Sequence, residues 1–169
     1  MKSTFRIAAV FSIGLCGLVP ASTAWSECNA NIALEQASSR FVIKDDLVYD
    51  PTTDLTWMRC SFGQTWVRGV GCQGAVQPMD WNAAMSLRIS GDASWRLPSI
   101  QELNSIVDVD CKKPAIDESA FPNTAHMAYW SSTPTGPSYA WHVNFRWGVE
   151  AWQYLRSNQY AVRLVRSGH

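Results

Sequence analysis

Histidine is scarce in this chain, three residues in 169, and His126, His142 and His169 share neither the H-x3-5-H spacing of a zinc finger nor an H-E-x-x-H hydrolase motif. No C-x-x-C pair occurs, so zinc also lacks its usual thiolate pair. A G-x-S-x-G elbow and a glycine-rich phosphate loop are both missing, which removes the common carriers of hydrolase and nucleotide chemistry. Neither sign of charge is in excess, with 14 Lys+Arg against 14 Asp+Glu, and nothing implies a nucleic-acid partner. Long apolar runs are absent too. Residues 7–19 come nearest and fall short of the roughly 20 that a membrane-spanning helix needs.

That short run has a different reading. Lys2 and Arg6 precede it, and Pro20 with the small residues Ala21, Ser22, Thr23 and Ala24 follows it. Basic start, apolar centre and small-residue end make residues 1–24 a cleavable export signal. Leu15 before Cys16 is the wrong neighbour for lipid attachment, so cleavage after Ala24 is expected. The mature chain then has 12 basic and 14 acidic residues and no integral membrane segment. Residues 25–39 read as a tail and residues 40–169 as one domain, long enough for a real core.

Cys16 leaves with the signal, so four cysteines remain in an oxidising compartment: Cys28, Cys60, Cys72 and Cys111. Two disulfides are expected. Three pairings satisfy the arithmetic. Cys60 with Cys72, across a short glycine-bearing loop, and Cys28 with Cys111, tying the tail to the core, are favoured.

Residues 41–49 and 55–60 read as two strands of a hairpin around a Pro- and Asp-bearing turn. A long loop follows to residue 79. Asp80 caps a helix over residues 81–89. Ser99 and Glu102 form an S-x-x-E capping box ahead of Ile100, Leu103, Ile106 and Val107 at helical spacing. Beyond Cys111, residues 127–132, 140–146, 149–156 and 160–166 read as strands. Strands, two short helices and strands again is an α+β order of antiparallel sheets.

The motifs Leu55-Thr56-Trp57-Met58-Arg59-Cys60, Gly63-Gln64-Thr65-Trp66, Trp95-Arg96-Leu97-Pro98-Ser99-Ile100-Gln101-Glu102-Leu103, Ala120-Phe121-Pro122-Asn123-Thr124, Tyr129-Trp130-Ser131-Ser132 and Val162-Arg163-Leu164-Val165-Arg166 together resemble one bacterial family. It is the domain of unknown function named after the C-terminal domain of the collagen-like adhesin Lcl. The resemblance implies a C-type-lectin-like fold in which the N- and C-terminal strands pair, helices flank the sheet and a loop-rich face binds ligands. Two positions depart from the family pattern. Asp54 replaces the usual glycine after the turn, and Asp tolerates a left-handed backbone. Ser94 replaces the usual Asp, which removes that acid as a partner for Arg96.

Nine tryptophans are present; Trp57, Trp81, Trp95 and Trp130 read as core. Residues 141–156 read as two strands with faces split by period-two alternation. Trp141, Val143 and Phe145 are expected inward, and His142, Asn144 and Arg146 outward. Trp152, Tyr154 and Arg156 share one parity beyond the turn at Trp147. The candidate ligand-binding set is therefore His142, Asn144, Arg146, Trp147, Trp152, Tyr154 and Arg156: rings for the apolar faces of sugars, amide and guanidinium for hydroxyls. Arg146, Arg156, Arg163 and Arg166 against Glu150 add a local positive excess that suits an anionic glycan. Asp108, Asp110, Asp117 and Glu118 are hard oxygen ligands of the kind that bind Ca²⁺, but spaced acids in a loop read first as solvated, so no metal and no cofactor is assigned and a structural calcium stays open. The expected function is an exported, non-catalytic domain binding glycan or protein. The alternative is an envelope assembly module using the same face between subunits, as an oligomer would.

Overall fold

The computed structural model describes residues 27–28, 40–89 and 91–168, with side chains for all of these except 27, 28, 152 and 153. The expected export signal and most of the tail lie outside the described residues. A short strand β1 (Glu27–Cys28) runs antiparallel to β7 (Cys111–Lys112), and its register sets Cys28 opposite Cys111.

The stretch expected to form one long hairpin strand divides into β2 (Val42–Lys44) and β3 (Leu47–Asp50), with β4 (Leu55–Met58) completing a meander. Asp45 causes the division. It adopts a φ of 51°, a left-handed conformation that Asp accepts at modest cost, and the chain reverses between Lys44 and Leu47. The second turn is organised by Asp50, whose buried carboxylate accepts from the Thr52 N–H and the Thr53 hydroxyl, each at 3.0 Å, and pairs with Arg40. Burial pushes the Asp50 pKa up, but these donors outweigh it and hold it below the usual carboxylate range. Asp54 closes the turn at a φ of 52°, so the departure from glycine is accommodated as expected.

The last strand, β11 (Val165–Ser167), joins this sheet in the order β11-β4-β3-β2. The terminal strand therefore pairs with the third strand of the meander, whereas the resemblance implied the first. β4 carries the fully buried Trp57, while Val42 and Ile43 of β2 are exposed; the apolar strand takes the inner place and β2 the edge. Before Val165 the chain is held by single bridges, Tyr160 to Met79 and Ala161 to Tyr129, where sequence predicted a continuous strand over 160–166.

Helix α1 (Trp81–Met85) is capped by Asp80, which accepts from the Ala83 N–H at 2.9 Å. It stops short of residue 89 because Ser86 turns its hydroxyl back onto the Asn82 carbonyl at 2.8 Å. Helix α2 (Ile100–Ser105) has the full capping box between Ser99 and Glu102. Glu102 also takes both guanidinium arms of Arg96 at 2.7 Å. Arg96 thus finds its acid six residues downstream, and the loss of an acid at position 94 is compensated. Both arginine bonds lower the Glu102 pKa against the opposing effect of burial.

The loop after β4 is ordered by the hairpin β5 (Thr65–Val67) and β6 (Gly71–Gln73) and by the disulfide Cys60–Cys72, with an S–S distance of 2.07 Å. The second sheet consists of β8 (Ala128–Pro134), β9 (Tyr139–Asn144) and β10 (Val149–Leu155), in the order β10-β9-β8. Alternate residues of β8 and β9 enter two different cores. Tyr129 and Val143 pack with Trp57, Leu103, Phe121 and Phe145. Trp130 and Ala140 pack with Trp81, Trp95, Leu97 and Leu164. The four tryptophans assigned to the core are all buried. The outcome is an α+β domain of antiparallel sheets with two short helices.

Candidate functional site

Alternation along β9 places Val143 and Phe145 in the core as expected, with Trp141 packed against it. His142 is a correction: it is buried, 3% exposed. Sequence reading gave this sheet one dry and one wet face, yet β9 lies between two cores, so both of its faces are covered. The His142 ring meets Tyr154 edge-on at 4.4 Å, Tyr160 at 5.1 Å and Trp130 at 6.2 Å between centroids. Its Nδ1 is buried and meets no hydrogen-bond partner among the described residues, and burial pushes its pKa down to about 4.

The remaining candidates separate into two groups at opposite ends of the β9–β10 hairpin. At the tip, the half-buried Asn144 accepts the Arg146 N–H at 3.0 Å with its side chain and the Trp147 and Gly148 N–H groups with its carbonyl. Arg146 is exposed and lies 5.0 Å over the Trp147 ring, itself 47% exposed. Gly148 is required here: its φ is 69°, and a Cβ would come within 2.9 Å of the Ala115 side chain. The tip is thereby pressed against residues 107–115 while Trp147 faces solvent.

At the base, five residue steps along the strand and about 16 Å away, Tyr139 and Leu155 pair across the strands and are both exposed, as is Tyr154. Arg156 is not the free cation that sequence suggested. Its Nε donates to the Tyr139 carbonyl at 3.2 Å, its Nη2 to the Gly136 carbonyl at 2.9 Å, and its guanidinium lies 4.1 Å over the Trp81 ring.

Along β10 the register shifts between Ala151 and Tyr154. Ala151 faces His142 and Tyr154 faces Ala140, so three steps on β10 match two on β9. The extra residue of this bulge interrupts alternation between 151 and 154. The side chain of Trp152 itself lies outside the described residues.

The expected arginine cluster is dispersed. Arg163 is fully buried and donates to the Met58 and Arg59 carbonyls, to Ser61 Oγ at 3.3 Å and to Thr124 Oγ1 at 2.8 Å. Arg166 pairs with Asp92 at 2.8 Å and lies over Trp95. Only Arg146 and Arg156 stay on the hairpin, at opposite ends. No group of three or more His, Cys, Asp or Glu side chains among the described residues is arranged to hold a metal ion.

Beside Arg156 the surface opens into a cleft of about 460 Å³ lined by Asp80, Asn82, Ala83, Ser86, Arg156 and Ser157. Apart from Arg156, sequence reading passed over its polar residues, since Asp80 and Asn82 look like the start of any helix. Only tertiary structure brings them to Arg156, through the Trp81 N–H bonded to the Arg156 carbonyl at 2.9 Å. Tyr139, Val149 and Leu155 were also missed as surface residues. An aromatic directly after the Pro- and Gly-rich turn at 134–138 was the available signal for Tyr139.

Fold and surface define a class: an α+β domain of antiparallel sheets carrying a solvent-facing, aromatic-bearing edge hairpin on a doubly packed sheet. The chain belongs to the family described as the Lcl C-terminal domain, whose sequence model matches residues 46–166. No curated protein matches the chain. Among the described residues no helix is long and apolar enough to cross a membrane.

Proposed function

We propose that this chain is an exported, non-catalytic binding domain of C-type-lectin-like build, recognising a glycan or a protein through the β9–β10 hairpin. The carrying observation is the exposure of Trp147, Val149, Tyr139, Tyr154 and Leu155 on a hairpin whose inward residues Val143, Phe145 and Ala140 are locked into two cores. Rigidly backed exposed aromatics cost little ordering entropy on binding. Membership in a family named after the C-terminal domain of an adhesin supports a surface or exported role. The export signal over residues 1–24 and the Cys60–Cys72 disulfide suit the same compartment. A second bond, Cys28–Cys111, is part of this reading, supported by their opposed register.

A glycan array probed with the refolded mature domain tests the reading. Binding that Trp147→Ala reduces at least about tenfold, with the thermal midpoint little changed, is the expected result. One observation favours subunit assembly instead: β10 is an edge strand of its sheet, open to pairing with another chain. Light scattering that finds an oligomer dissolved by Tyr154→Ala, with a blank array, makes assembly the function.

A further inference from the structure

The cleft at the hairpin base points to a particular ligand chemistry. We propose that it is a subsite for a neutral polyhydroxylated ligand, one or two hexose units of a glycan, read by Asp80, Asn82, Arg156 and Ser157; this rests on the binding reading above.

It is a shallow, open depression of about 460 Å³ in which Asn82, Ala83, Ser86 and Ser157 are exposed, a shape that suits the edge of a sugar ring. The lining holds one carboxylate and one guanidinium, so it is formally neutral and offers no net attraction to a sulfated or phosphorylated group. The Ala83 N–H, which an anion would seek, already donates to Asp80 Oδ1 at 2.9 Å. What the cleft does present is a mixture of donors and acceptors. Asp80 Oδ2, Arg156 Nη1, the Asn82 amide and the Ser157 hydroxyl make no hydrogen bond among the described residues. Adjacent sugar hydroxyls each donate and accept, and such a set answers both roles.

Preorganisation strengthens the case. Two carbonyls and the Trp81 ring fix the Arg156 guanidinium, so little side-chain entropy remains to be lost when a ligand binds. The exposed Tyr154 lies two residues before it on the same segment and offers a ring for further sugar units.

The test is calorimetry and saturation-transfer NMR on the mature chain with cellobiose, lactose, chitobiose and a sulfated heparin disaccharide. At least one neutral disaccharide is expected to bind with an affinity indifferent to added sodium chloride. Asn82→Ala, Ser157→Ala and Asp80→Asn, the last of which keeps a helix-capping side chain, are each expected to weaken it by about tenfold. Failure of all three neutral probes overturns the assignment, as does unchanged affinity in the three variants or salt-sensitive preference for the heparin disaccharide. If array ligands bind and respond to Trp147→Ala but ignore the cleft variants, the cleft is rejected and the binding role stands.

Discussion

The Tyr154 ring stands edge-on to His142, with centroids 4.4 Å apart and planes at 86°, so an exposed candidate binding residue rests directly on a buried titratable one. Burial holds His142 neutral with a pKa of about 4, against an ordinary 6.5. In the unfolded chain His142 protonates near its ordinary value, whereas the native ring resists until about pH 4. Stability is therefore full above 6.5 and falls as pH drops from 6.5 to 4, by at most about 3 kcal/mol from this group. Asp50 and Glu102, held below the usual carboxylate range, add their own loss at lower pH. Urea unfolding across this range is expected to show the decline, and His142→Leu to flatten its upper part. An unchanged slope in that variant refutes the assignment.

Arg163 is buried, lies 4.8 Å from the Phe121 ring centroid and 5.9 Å from that of Tyr129, and ties the end of β4 to Thr124. Among the described residues no carboxylate pairs with it; its partners are carbonyls and hydroxyls. Arg163→Ala leaves several buried acceptors unmet and is expected to cost at least about 3 kcal/mol. Arg163→Lys cannot span the same fork of partners and recovers only part of this. Chemical denaturation measures both, and a loss under about 1 kcal/mol in Arg163→Ala contradicts the role.

Replacing Cys60 and Cys72 together by Ala opens a loop whose ends are 12 residues apart and is expected to cost about 3 kcal/mol. The β5–β6 hairpin should open first, visible as faster amide exchange at Thr65 and Val67, whose pairs with Gln73 and Gly71 flank the Trp66–Cys72 pair. Mass spectrometry of unreduced peptides addresses the Cys28–Cys111 bond. Linked peptides support it; two free thiols reject it.

Asp54→Gly relieves a left-handed backbone in a residue with a Cβ but loses the hydrogen bond from the Tyr49 hydroxyl at 3.0 Å. That bond is exposed and weak, so the backbone effect dominates and stability is expected to rise by up to about 1 kcal/mol. A lowered thermal midpoint shows that the side-chain bond wins.

Local chemistry was legible in the sequence. The Ser99–Glu102 capping box, the Asp80 cap, the burial of Trp57, Trp81, Trp95 and Trp130, the left-handed Asp54 and the Cys60–Cys72 bond depend on neighbours close in sequence or on side-chain type. So did the α+β order and the family, because the motifs that carry the resemblance recur at fixed intervals along the chain. Which face of β9 meets water was not legible. Alternation sorts residues into two faces but does not say how many of them are covered, and a second core around Trp81, Trp95 and Trp130 buried the face that holds His142.

Distances along the chain also mislead about the site. Arg146 and Arg156 share a segment but stand at opposite ends of a hairpin, while Asp80 and Arg156, far apart in sequence, line one cleft. The bulge in β10 shifts parity by one residue, which no period-two count foresees. By itself the sequence determined caps, the Cys60–Cys72 staple, class and family, since these follow from short-range hydrogen bonds, composition and spacing. Tertiary structure alone decided which aromatics stay in water and which polar groups meet, because both depend on what the rest of the chain packs against them.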